Sequence, residues 1–328
     1  MNPYIGHESQ LYGVEEHRLV GGKGDGIRLL QVKNGQGLEF TVSCDRGADI
    51  SRLSWKGINM GYFALCGYVA PSFYDDKGTG FLKSFTAGFL TTCGLAAVGS
   101  PCTDMGEELP LHGSINNTPA DRIWWESDDA EIRIHAVVRD ETLFSHKLVL
   151  HRLIRCSLND PEIVIEDTVE NAGDQEYPAM LLYHMNMGYP LLSETAELKI
   201  SSDRVIPRNE HAAEGLAEWN RIIPPQAGFE EQCYFHEFDP VDGEAFASLY
   251  NPQAGVGLKI SFDPQNLPFF TEWKMMGVRD YVLGLEPGTC HPDGRDKMRE
   301  QGKLTVLQPG EKVTYWVKVS MLSDIEGK

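Results

Sequence analysis

The segment EIVIEDTVEN, residues 162–171, interleaves Ile163, Ile165 and Val169 with mostly charged neighbours. A period of two marks a β-strand with one buried face, because successive side chains leave the pleat on opposite sides. The pattern extends outward from there. EIRIHAVVR (131–139) sets Ile132, Ile134, Ala136 and Val138 on one side, and LEFTVSC (38–44) does so with Leu38, Phe40, Val42 and Cys44. VGLKISFD (256–263) and KVTYWVKVSM (312–321) repeat it. Turn signals such as NGQG, NDPE, NAGDQ, NPQAG and QPGE punctuate these runs. Helical periodicity is confined to HAAEGLAEW (211–219), enough for one short helix. The expectation is an all-β chain: one large antiparallel β-sandwich domain spanning residues 1–328, with few short helices. A parallel α/β fold would need helices between the strands.

Composition narrows the function. A formal net charge of −19 over 328 residues argues against nucleic acid, whose phosphates need clustered Lys and Arg. It also argues against anionic membranes, and it leaves a neutral small molecule open. The start MNPYIGHESQLYGVEEHRL has neither a basic nor an apolar stretch, and no window approaches roughly 18 apolar residues. Seven scattered cysteines without a CxxC pair read as a reduced, cytoplasmic protein lacking a cysteine-built zinc site. P-loop, GxGxxG, HExxH and GxSxG motifs are absent.

Polar residues at strand ends are the remaining candidates. In LPLHGSINNTPADRIWW (109–125), His112 precedes a glycine, so a turn presents it; Asn116 and Asn117 suit hydroxyls or an ordinary turn. In YPAMLLYHMNMGYPLL (177–192), His184 and Asn186 are two apart and share a strand face, as a satisfied core pair or as pocket lining. TEWKMMGVRDYVLGLEPGTCHPDGRD (271–296) offers Lys274 and, at the end of an apolar run, Glu286. Glu286 suits a turn cap, an ion pair with Lys274, or a proton-transfer group whose pKa burial raises. Arg46, where the strand of SCDRGADISRLSWKGINM (43–60) breaks, either grips ligand hydroxyls or pairs with Asp45. GFEEQCYFHEF (228–238) adds Glu230, Glu231 and His236.

Taken in order, DRGADISRLSWKGINM, LPLHGSINNTPA, YHMNMGYPLL and LEPGTCHPDG, followed by LTVLQPGEKVTYWVKV, resemble the aldose 1-epimerase (galactose mutarotase-like) superfamily, in its aldose-epimerase-like branch. The resemblance covers about residues 20 to 320. It implies a β-supersandwich with an open cleft, Glu286 as general base, His184 as general acid and His112 as a sugar-binding histidine. It further implies a small-molecule carbohydrate substrate and no metal or organic cofactor. An acid–base reaction at another carbon of a sugar or sugar acid, or carbohydrate binding without turnover, are the alternatives. The family's arginine-bearing stretch ahead of the His-Gly motif is here TAGFLTTCGLAAVG (86–99), which has no arginine. Arg46 or Lys274 is the expected replacement cation, with Asn186 and either Glu231 or Glu230 completing the sugar shell.

Overall fold

The computed structural model describes residues 3–239 and 243–323. The alternating segments pair into an eight-stranded antiparallel sheet. At its centre Lys147–Ser157 and Lys312–Ser323 flank Glu162–Asn171. Their apolar positions, with Ile132, Ile134, Ala136 and Val138 of Glu131–Glu141, point into one continuous core. A five-stranded sheet formed by residues 13–59 packs its Phe40, Val42 and Ile50 into the same core.

A six-stranded sheet carries the candidate site residues His184 and Glu286. Its members are β1 (Leu90–Leu95), β2 (Met180–Met187), β3 (Arg204–Pro207), β4 (Gln232–Glu237), β5 (Phe269–Met276) and β6 (Tyr281–Gly288), in the spatial order β3-β4-β5-β6-β2-β1. β2 and β6 are buried at every position, so both of their faces are covered. Leu181, Tyr183, Met185, Leu283 and Leu285 face the main core. On the other face, Met180 and Leu182 join Cys93 and Cys290 in a small second cluster. The helical segment predicted over 211–219 is an α-helix, Glu210–Glu214, capped by the Asn209 side chain on the Ala212 N–H, then a 3-10 turn, Leu216–Glu218. Among the described residues no helix is long and apolar enough to cross a membrane.

The three large sheets meet at Arg152. Its side chain has 0% exposure and bonds Asp167 twice within its own sheet, at 2.9 and 2.7 Å. It also reaches Asp49 of the five-stranded sheet at 2.8 Å and Thr92 of β1 at 2.7 Å. Removing one member of such a buried cluster strands the charges of the others. Arg152→Met is therefore expected to lower stability by about 3–5 kcal/mol, read as a lower urea midpoint at unchanged slope. Arg152→Lys should recover little, since one ammonium cannot reproduce the fork.

Candidate active site

Strand register builds the centre of the site. The pairing of Leu182 with Gly288 and of Met185 with Leu285 brings His184 opposite Glu286. Thr91 flanks His184 on β1, and Thr271 flanks Glu286 on β5. Directly opposed cross-strand side chains are close enough to interact. His184 Nε2 and Glu286 Oε1 lie 3.4 Å apart, both almost wholly buried. They sit in the lining of a cavity of about 350 Å³, within the size range of small-molecule sites.

Two glycines make the geometry possible. A Cβ on Gly284, one position ahead on the same face, would fall 2.3 Å from Glu286 Oε1. His112 turns into the cavity at φ 58°, a left-handed conformation that non-glycine residues rarely adopt. It is held by its own N–H to the Gly99 carbonyl (2.8 Å) and by its carbonyl accepting from the Gly94 N–H (3.1 Å). At Gly113, φ 73°, a Cβ would meet the Gly94 carbonyl oxygen at 2.2 Å, so only glycine fits after this histidine. The His112 and His184 rings stand edge to face at 5.6 Å, and Trp273 stands edge to face with His184 at 5.3 Å.

Burial sets the electrostatics. It pushes the Glu286 carboxyl well above the usual range; nearby Glu231 adds to the rise and Arg208 opposes it. Burial lowers His184 to about 3, aided by His112, and lowers His112 to about 4, aided by Arg208. In the free protein both imidazoles are neutral near pH 7. Glu286 Oε1, Thr271 Oγ1 and the Nδ1 atoms of both histidines are buried without a hydrogen-bond partner among the described residues. Such groups are costly unless a ligand satisfies them.

Of the sequence candidates, Glu286, His184, His112 and Glu231 converge on this cavity. Glu231, rather than Glu230, faces it and accepts the Trp273 indole N–H at 2.7 Å. Three others do not join them. Arg46 is buried elsewhere, donating to the carbonyls of Asn116 (2.7 Å) and Val69 (2.8 Å), while Asp45 pairs with Arg28. Lys274 lies on the core face of β5, because Thr271 and Trp273 occupy the cavity face; its ammonium donates to the Glu218 and Trp219 carbonyls. Asn186 shares the face of His184, yet it is fully buried, outside the cavity lining, and donates to the His184 carbonyl at 2.9 Å. His236 also faces inward, against Glu272 at 3.2 Å.

The cation in the cavity is Arg208, which sequence reasoning missed. It follows β3 directly and is fixed by Asp293 at 3.0 Å and the Pro292 carbonyl at 3.2 Å. Its partner lies 85 positions along the chain in the HPDG turn, so nothing local to RVIPRNEH signals a site. Among the described residues no group of three or more His, Cys, Asp or Glu side chains is placed to hold a metal ion.

Solved structures share this architecture. A "putative aldose 1-epimerase" from Klebsiella pneumoniae subsp. pneumoniae is 28% identical, with a TM-score of 0.89 over 97% of this chain and 86% of its own. A galactose mutarotase-like protein from Clostridium acetobutylicum is 14% identical, with a TM-score of 0.71 over 96% and 99% of the two chains. A galactose 1-epimerase from Lactobacillus acidophilus is 13% identical, with a TM-score of 0.63 over 95% and 99%. The fold is thus the galactose mutarotase-like β-supersandwich. No curated protein matches the sequence. The chain belongs to the family described as "Domain of unknown function (DUF4432)", which matches residues 24–321.

The space left by Gly284 gives a direct test of how Glu286 is placed. The backbone there is ordinary, so Gly284→Ala should fold, while its Cβ displaces the carboxyl. A crystal structure of the variant is expected to show His184 Nε2 and Glu286 separated well beyond 3.4 Å. An unchanged contact would refute the constraint.

Proposed function

We propose that this protein is an aldose 1-epimerase, which interconverts the α and β anomers of a free sugar by acid–base ring opening. The observation that carries the reading is the 3.4 Å contact between His184 Nε2 and Glu286 Oε1 in the cavity lining. The likeness to the Klebsiella protein supports it. Mutarotation needs one group to take the proton from the anomeric hydroxyl and another to protonate the ring oxygen. Those two oxygens share one carbon, so the catalytic groups must stand side by side. Glu286 is the base and His184 the acid, and the reacting form is the tautomer in which the single proton of the pair lies on His184. His112, Glu231 and Arg208 hold the remaining hydroxyls.

Burial drives both transfers in the same direction. A carboxylate with a raised pKa is a stronger base, and an imidazolium with a lowered pKa is a stronger acid. Once the ring opens, Glu286 carries the proton and His184 is neutral, the arrangement that burial favours. Rotation about C1–C2 and return of the two protons close the other anomer.

Each transfer contributes typically about 10²–10⁴-fold. Glu286→Gln should slow anomer exchange by that order in saturation-transfer NMR while calorimetry still detects sugar binding. Undiminished exchange in the variant would refute the role. Binding by the wild type without any exchange would make this a carbohydrate-binding protein.

The pH profile follows from the pair holding one proton. That proton is lost as pH rises through the raised Glu286 pKa, and a second is gained only as pH falls toward about 3. Activity should therefore stay level above the acidic limb and fall as pH rises through the raised Glu286 pKa. Because Glu231 helps raise the Glu286 pKa, Glu231→Gln should move the basic limb of kcat/KM to lower pH. A limb that stays in place would show that the two carboxylates are uncoupled.

A further inference from the structure

The cavity is chemically lopsided along the sheet. Arg208, just after β3, and Glu231, just before β4, stand at one end. Trp273 on β5 links Glu231 to the centre, where Glu286 on β6 and His184 on β2 face each other. Past His184 the lining becomes hydrocarbon. Phe85 packs 5.4 Å from the His184 ring and Phe81 5.3 Å from the His112 ring, so His112 marks the boundary. Leu82, 58% exposed, and Leu111 continue this apolar wall. Phe81, Leu82 and Phe85 come from one segment around the 3-10 turn Gly80–Lys83, outside every sheet.

A pyranose ring has a matching asymmetry. From C1 it runs one way to C2 and C3, each with a hydroxyl. The other way it passes the ring oxygen to C5, whose substituent is a hydroxymethyl, a methyl or hydrogen. With the anomeric oxygen at Glu286 and the ring oxygen at His184, the C2 and C3 hydroxyls fall toward Trp273, Glu231 and Arg208. The C5 substituent falls on Phe81, Leu82 and Phe85. The reverse placement would set two hydroxyls against hydrocarbon and leave the arginine and the carboxylate facing the hydroxyl-poor side. Chemical matching thus selects the orientation that makes Glu286 the base and His184 the acid.

From this we infer that the cavity selects 6-deoxyhexoses, whose C5 substituent is a methyl group, over the corresponding 6-hydroxy sugars. The inference rests on the aldose 1-epimerase reading and adds the substrate class. A methyl packs against Phe81, Leu82 and Phe85, whereas a hydroxyl there loses part of its hydration against three side chains that offer it no hydrogen bond. Hydrophobic surfaces reject an added hydroxyl only moderately, so the preference should be about 10–10²-fold in kcat/KM.

The test measures anomer exchange by NMR on matched pairs, fucose with galactose, rhamnose with mannose and quinovose with glucose, in both enantiomers. The deoxy member should win in the pair that is exchanged fastest. Leu82→Asn, at an exposed position that does not threaten folding, should bring the ratio in that pair toward one. Exchange that is equal for, or favours, the 6-hydroxy sugars would overturn the selectivity and leave the mutarotase reading standing. A ratio unmoved by Leu82→Asn would overturn the role of the apolar wall. Absence of exchange with every aldose would overturn both readings together.

Discussion

Arg152 gives its guanidinium N–H groups to acceptors on three sheets, and the site is assembled directly across β2 from that junction. Thr92, which accepts from Arg152, pairs across strands with Tyr183, the residue before His184. Tyr183 points into the core, so His184 must point away from it into the cavity. A one-residue slip of β2 against β1 would exchange those two side chains and bury the imidazole in the core. The buried ion cluster fixes the β1 side of that pairing, since a shift of β1 would carry Thr92 and its hydrogen bonds out of reach. Asp49 adds to this by accepting the Thr92 main-chain N–H at 2.9 Å. A charged group in the interior is a poor source of net stability, but here it ties the six-stranded sheet to the rest of the fold.

The strands of the eight-stranded sheet were legible because one of their faces is wetter than the other. Glu162–Asn171 alternates buried and half-buried positions throughout. β2 and β6 gave no such signal. Covered on both faces, they read as unbroken apolar runs whose parity is hidden. This is why His184 and Glu286 stood out as polar interruptions while their neighbours were misjudged. Lys274 looked like a ligand-facing cation in TEWKMM, yet parity assigns Trp273 to the cavity and Lys274 to the core face. Asn186 has the right parity but lies one row along the sheet, where it pairs with Gly284 and turns its amide back onto the strand. Arg208 was invisible for a different reason: its position depends on an ion pair between segments that only the fold brings together.

Arg46, expected at the sugar, supports the site from behind. Its two hydrogen bonds join the Asn116 carbonyl, just after the His112 turn, to the Val69 carbonyl, at the start of the excursion that delivers Phe81 and Phe85. Tyr74 in the same excursion donates to the Gly113 carbonyl at 3.0 Å. The strained His112–Gly113 turn is therefore clamped from two directions. A left-handed histidine costs about 1–3 kcal/mol and persists only where its surroundings over-determine it. Arg46 is thus accounted for as scaffold for the turn that presents His112.

Placing two ionisable groups in contact inside a protein raises the question of why they do not form a simple ion pair. Full burial disfavours the charged form of each, so the pair rests with the proton on carbon-bound oxygen rather than on nitrogen. Arg208 and Glu231 act on this balance from one side with opposite signs. Burial outweighs the pull of Arg208, so Glu286 is not brought back to an ordinary carboxylate, and Asp293 pairs with the arginine at 3.0 Å. An arginine without that partner would bind hydroxyls equally well but would stabilise the Glu286 carboxylate and weaken it as a base. Under the proposed aldose 1-epimerase function, the Asp293 pairing would let one cavity hold both a cation for the sugar and a carboxyl kept reluctant to ionise. It also explains why the HPDG turn that follows the strand of Glu286 belongs to the same site.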